Sequence, residues 1–289
     1  MIIGHQKQWH YLKTLAEDDK LPHAILFAGP EKVGKKTLAL ELVKFIFKKE
    51  PTVHPDFHFI LPQDNIIKIN QIRELIWQLS LKPYSGKIKI GLIDNAHLME
   101  VESQNALLKT LEEPKGDALL ILISHRPNSL LRTILSRVQI LRFFLIEEDE
   151  IFKYLVSLGS EKEKAQEIAK FSFGKVGWAV DFLNDPKKFI ERKEELRDCL
   201  RNFSSTIAAR FNYINKLENE EKSFSDILGN WQEYLRRVLI SKIEGKNLLP
   251  NLSQQKIFNF LKNLEKTKDL IENTNANQKL AMENLMLSI

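Results

Sequence analysis

Residues 24–47 read AILFAGPEKVGKKTLALELVKFIF. A wholly apolar run leads into a loop bounded by glycines, and the loop into a stretch whose apolar residues recur at helical spacing, so strand, turn and helix follow one another directly. Within the loop the phosphate-binding pattern of Gly, four residues, Gly, Lys, then Ser or Thr is met at Gly29, Gly34 and Lys35. Lys36 stands where the hydroxyl belongs. In such a loop backbone N–H groups and a helix N-terminus face the phosphates, and the lysine reaches the outer ones. A tight strand-to-helix turn with glycines for backbone reasons alone is the alternative.

The missing hydroxyl normally ligates the magnesium ion that neutralises the departing phosphate. Thr37 does not replace it, because successive helical residues are rotated by about 100° and Thr37 points away from the phosphate that Lys35 addresses. An ammonium at Lys36 still adds favourable charge beside phosphates. ATP or ADP binding therefore stays open while the case for hydrolysis weakens, and the candidate nucleotide site comprises Gly29, Gly34, Lys35, Lys36, Thr37 and Asp94.

Asp94 ends the apolar run of GLIDNAHLME, residues 91–100, where a phosphate-loop ATPase carries the acid that organises magnesium; a carboxylate capping the next helix is the plainer reading. The following residue, often a glutamate that polarises water, is Asn95. An amide does not accept a proton as a carboxylate does, so the general base is missing.

AILFAG (24–29), DFHFIL (56–61), KIKIGLID (87–94) and ALLILIS (118–124) read as strands, most of them nearly all apolar, a pattern usual for strands buried on both faces. TLALELVKFIFKK, INQIRELIWQLSL and SQNALLKTLEE read as the helices between them. The expectation is an α/β phosphate-loop domain with a parallel sheet over residues 1–146. EEDEIFKYLVSLG, with four acids at the positive end of a helix, opens a small helical lid domain over 147–186. Residues 187–289 read as an all-α assembly domain.

In SQNALLKTLEEPKGDALLILISHRPNSLLRTILSRVQILRF, residues 103–143, a helix is followed by a turn at Pro114 and Gly116, a buried strand, and a short helix carrying Arg132 and Arg137. QNALLKTLEEP followed by LLRTILSRVQ resembles bacterial clamp-loader subunits of the AAA+ superfamily, from residue 2 to about 146. The resemblance implies that Ser136, Arg137 and Gln139 match the SRxQ motif, whose arginine enters a neighbouring subunit's ATP site in trans. It implies that Ser124 lies in the region of a first sensor and that Gly177, before Trp178 and Ala179, stands where active loader ATPases carry a second sensor arginine. A lone arginine near a helix end is otherwise a capping or solvated residue.

The implied role is a non-hydrolytic member of the ring that loads the sliding clamp for DNA polymerase III, a nucleotidyltransferase complex, in DNA replication. Its partners would be ATPase gamma/tau-like and delta-like subunits, with clamp and primer-template DNA met through the complex. The alternatives are a loader subunit that hydrolyses ATP in its own right and a small-molecule phosphotransferase.

Family members typically bind zinc through a cysteine cluster ahead of an HPD sequence. This chain runs FIFKKEPTVHPDFHF there, and its sole cysteine is Cys199, so no zinc is expected. His54, Asp56 and His58 lie close in sequence but lack further ligands at metal spacing. Lys and Arg exceed Asp and Glu by only 43 to 38, spread along the chain, which argues against a dedicated electrostatic DNA footprint. With no export signal and no apolar run near the roughly 20 residues that span a bilayer, a cytoplasmic protein with no membrane partner is expected.

Overall fold

The computed structural model describes residues 2–51, 54–114, 116–243 and 253–289. Helix α1 (Gln6–Glu17) precedes β1 (Ala24–Ala28), and α2 (Lys35–Phe47) follows the glycine loop. Next come β2 (Phe57–Ile60), α3 (Ile69–Ser80), β3 (Lys89–Ile93), α4 (Val101–Glu112) and β4 (Ala118–Ser124). A single short turn of helix, α5 (Arg132–Leu135), leads to β5 (Gln139–Arg142).

Among the described residues the strands form one parallel sheet in the order β2-β3-β4-β1-β5. Alternation along β1 divides two cores. Leu26 and Ala28 join Ile72, Leu75 and Leu79 of α3 and Leu107 and Leu111 of α4 on one face. Ile25 and Phe27 join Leu12 of α1 and Leu38, Leu42 and Val43 of α2 on the other. Helices on both faces of a parallel sheet are what the continuous apolar strands require. The order places β4 between the strand that enters the glycine loop and the strand that ends at Asp94, so loop, Asp94 and Ser124 share the C-terminal edge of the sheet, where ligands of such sheets bind.

Two differences from the sequence reading concern the last part of the sheet. Strand β5 carries exposed Gln139, Ile140 and Arg142 at the sheet's edge, a pattern that does not announce a buried strand. Helix α5 ends at Leu135, so it carries Arg132 but not Arg137, whose amide donates to the Ile134 carbonyl just beyond it.

Helices α6 (Glu148–Ser157), α7 (Lys162–Phe171) and α8 (Val176–Asn184) follow, with Glu148, Asp149 and Glu150 in the first turn of α6. The chain divides into two compact units, Met1–Leu183 and Asn184–Ile289. The second unit comprises α9 (Pro186–Asn202), α10 (Ile207–Asn219), α11 (Phe224–Ile243), α12 (Gln254–Asn273) and α13 (Gln278–Leu287) around a core that includes Trp231, Leu235, Phe260, Leu264 and Met282. Residues 244–252, part of the stretch read as helical, lie outside the described residues. Among the described residues no helix is long and apolar enough to cross a membrane.

Candidate functional site

Gly29 and Gly34 shape the loop for different reasons. A Cβ at Gly29 would collide with the Phe143 carbonyl oxygen, just past β5, so only glycine lets the chain pass. Gly34 has φ +98°, a left-handed conformation that turns the chain into α2, for which it is the N-cap. Lys35 is buried, and its ammonium donates to the Gly29 carbonyl at 2.7 Å and to that of Pro30, folding over the loop it belongs to.

Burial pushes the Lys35 pKa down to about 8, against the opposing pull of Glu31 and Asp94. Since its folded pKa lies below the unfolded value of 10.5, the unfolded chain binds the proton more tightly, and stability rises as pH climbs from 8 to 10.5. The gain is on the order of 3 kcal/mol. Unfolding of wild type and Lys35→Met across this range should show the wild type gaining on the variant as pH rises; a constant difference would mean that Lys35 keeps its ordinary proton affinity.

Lys36 lies on the other side of the helix start, half exposed. Its ammonium meets Asp94 Oδ2 at 3.2 Å and stands 4.8 Å from the centre of the Phe59 ring. The second Asp94 oxygen, Oδ1, accepts the Asn95 N–H at 3.0 Å. Magnesium demands a near-octahedral shell of oxygens. Here both carboxylate oxygens already have partners, one of them a cation of the chain, and the loop offers no hydroxyl opposite. The residues do not fit a magnesium ion.

Asn95 has a backbone reason of its own, sitting at φ 51° and ψ 47° in the left-handed region that asparagine tolerates better than glutamate. His97, in the turn that follows, is held neutral: burial first, then His125 and Arg126, bring its pKa to about 4. That is well below the range suited to a base at neutral pH. Ser124 is fully buried, and its hydroxyl oxygen accepts the Arg126 N–H at 3.0 Å in a local turn.

Thr37 is exposed and lines a small pocket with Ile2, Ile3, Tyr154, Val176 and Val180, away from Asp94 as helical rotation requires. Across the loop, Lys32 ties α8 down in three ways that sequence reasoning missed. Its carbonyl accepts the Gly177 N–H at 2.7 Å, its ammonium pairs with Asp181 at 2.9 Å, and the same ammonium stands 5.2 Å from the Trp178 ring centre. A Cβ at Gly177 would already approach Lys32 to 3.0 Å, so this position favours glycine on packing grounds. No spacing rule links Lys32 to a helix so far along the chain.

Arg137 stands apart from this loop. One guanidinium nitrogen, Nη1, donates to the Thr133 carbonyl at 3.0 Å and to Ser136 Oγ at 3.2 Å; the other, Nη2, meets Glu112 Oε1 at 2.8 Å. Both partners of that ion pair are solvent-accessible, and exposed pairs contribute about 0–1 kcal/mol. The guanidinium is thus oriented by local contacts at the surface. Glu112, the last residue of α4, was not singled out in the sequence.

His54, Asp56 and His58 do not form a metal site. Asp56 is fully buried and accepts N–H groups from Tyr84, Ser85 and Gly86, with the Lys89 ammonium 3.2 Å from Oδ1. His54 stacks on Phe47 with ring centres 3.7 Å apart. No group of three or more His, Cys, Asp and Glu side chains among the described residues is placed to hold a metal ion.

Residues 4–146 match the family model described as DNA polymerase III, delta subunit. The chain is 35% identical over 134 residues to the DNA polymerase III subunit delta' of Pseudomonas aeruginosa, covering 40% of this chain and 41% of that one. Over residues 4–146, just under half of the chain, it is similar to DNA polymerase III delta' subunits. The subunit delta' of Bacillus subtilis is 33% identical over 172 residues, covering 54% of this chain and 52% of that one. The chain thus spans about half the length of these two relatives. A DNA polymerase III gamma subunit-related protein of Thermotoga maritima superposes with a TM-score of 0.57 over 97% of both chains at 21% identity, a likeness of fold. The matched residues 4–146 take in all five strands of the sheet.

Proposed function

We propose that this chain is a delta-prime-like subunit of a DNA polymerase III clamp loader that does not hydrolyse ATP itself and presents Arg137 to the ATP site of a neighbouring subunit. The observation that carries the reading is the pairing of Lys36 with Asp94, which puts an ammonium of the chain where a hydrolytic site holds its metal. Asn95 in place of a carboxylate and Gly177 in place of a sensor arginine point the same way. Arg137, by contrast, is intact, oriented and accessible. A fixed guanidinium stabilises charge on a phosphoryl group in transfer.

Gly29, Gly34, Lys35, Lys36, Thr37 and Asp94 in this reading form a phosphate-binding site without turnover. The helices from Pro186 onward serve assembly with gamma/tau-like and delta-like partners, and clamp and primed DNA are engaged by the ring. The purified chain should show no ATP turnover above background, with or without DNA. A rate near one per second, within the ordinary range of enzymes, that vanished in Lys35→Ala would establish instead a loader ATPase in its own right.

A further inference from the structure

The site at the sheet's C-terminal edge holds two ammonium groups and one buried carboxylate, and their arrangement determines what ligand the loop accepts. Asp94 is 9% exposed, so its negative charge needs a close positive partner. Lys36 supplies that partner at 3.2 Å, while the Phe59 ring face steadies the ammonium from 4.8 Å. We propose that Lys36 is the resident counter-ion of this site, taking over the charge of a divalent cation, so that the loop binds a diphosphate group as the metal-free anion. The inference rests on the phosphate-loop reading given above and is independent of Arg137.

The physical case has three parts. A Mg²⁺ ion approaching a bound diphosphate would have to displace Lys36 from Asp94 and would meet its ammonium, and like charges at that distance repel strongly in a partly buried site. An ammonium donates up to three hydrogen bonds, so Lys36 can hold Asp94 and still donate to a phosphate oxygen. Lys35 is bonded only to carbonyls of its own loop, Gly29 and Pro30, and both of its ordinary phosphate-facing neighbours, the loop amides and the start of α2, remain beside it. The ligand therefore meets two positive side chains and needs no third charge from solution. Thr37 and the apolar walls of Ile2, Ile3, Val176 and Val180 border the place where a nucleoside attached to that diphosphate would extend.

Calorimetry on the 289-residue chain with ADP and with inorganic pyrophosphate, each in Mg²⁺ and in EDTA, tests this directly. Wild type should bind with affinities that agree within about twofold between the two conditions. Lys36→Thr removes the ammonium and places a hydroxyl at this half-exposed position, and circular dichroism of the variant checks that it remains folded. That variant should bind about tenfold more weakly in EDTA and recover in Mg²⁺.

Emergence of metal dependence in the variant alone is the signature of a counter-ion role, which a merely structural lysine would not give. Tighter binding of ADP than of pyrophosphate would identify a nucleotide as the ligand; equal binding would identify the diphosphate itself, and either supports the proposal. It is overturned if wild type loses about tenfold in EDTA, if wild type binds neither ligand, or if Lys36→Thr shows no response to Mg²⁺. Each of those results leaves the test of Arg137 in the assembled loader standing, so the two readings fail separately.

Discussion

Replacing Arg137 with alanine is expected to lower ATP hydrolysis at the neighbouring site of an assembled loader by about 10³-fold, the lower end of what an arginine finger contributes. The chain itself should remain folded and join its complex, because the Arg137 side chain is on the surface and its ion pair with Glu112 contributes little. Lysine should not rescue the loss, since a point charge on a flexible stem lacks the planar fork that bridges two phosphate oxygens. Glu112→Ala provides the control. It removes the 2.8 Å partner while leaving the Thr133 and Ser136 contacts that aim the guanidinium, so hydrolysis should persist. Steady-state hydrolysis and clamp-loading rates in loaders reconstituted with each variant decide the matter; unchanged rates in Arg137→Ala would exclude the finger role.

Asp56→Ala should be the most destabilising of the substitutions considered for the first unit, by about 3–5 kcal/mol. The carboxylate is fully buried, takes three backbone N–H groups from residues 84–86 and neutralises Lys89, which is itself only 4% exposed. Truncation leaves an ammonium buried without its counter-charge and three donors without an acceptor. For a unit of this size the melting temperature should fall by roughly 10 °C or more.

The same contacts fix the acid response. Despite the opposing effect of burial, hydrogen bonds from Tyr84, Ser85 and Gly86 and the Lys89 pair hold the Asp56 carboxyl well below the usual carboxylate range. A depressed folded pKa contributes stability that is fully present above the unfolded value near 4 and is lost as pH falls below it. Thermal unfolding from pH 6 down to pH 2 should show this loss in wild type and little of it in Asp56→Ala. Parallel curves would place the acid sensitivity elsewhere.

Much of the α/β unit was legible because its physics is local. Strands β1 and β4 are almost wholly apolar runs, and β3 is one beyond its buried first residue, Lys89, since burial on both faces leaves no room for alternation. Strand β5 was not legible: as an edge strand it keeps Gln139 and Arg142 in contact with water. The loop was recognisable from its glycines, yet the strongest constraint on Gly29 comes from Phe143, a contact between distant parts of the chain. Lys36 could be read as a missing hydroxyl but not as the partner of Asp94, because that pairing depends on the strand order. The HPD segment suggested metal chemistry by composition, whereas three backbone donors, which carry no sequence signature, explain Asp56.

The pairing of Lys36 with Asp94 also bears on how such a site changes over generations. Lysine and threonine codons can differ at the middle base alone, so mutation reaches the ligating hydroxyl easily from the present residue. Yet that step by itself strips a buried carboxylate of its neighbour and restores no base, since asparagine at position 95 stands at least two base changes from glutamate, in a backbone conformation that resists it. A single substitution at position 36 would therefore leave Asp94 without its positive neighbour before any catalytic group is gained, and the ion pair acts as a latch on the present chemistry of the loop.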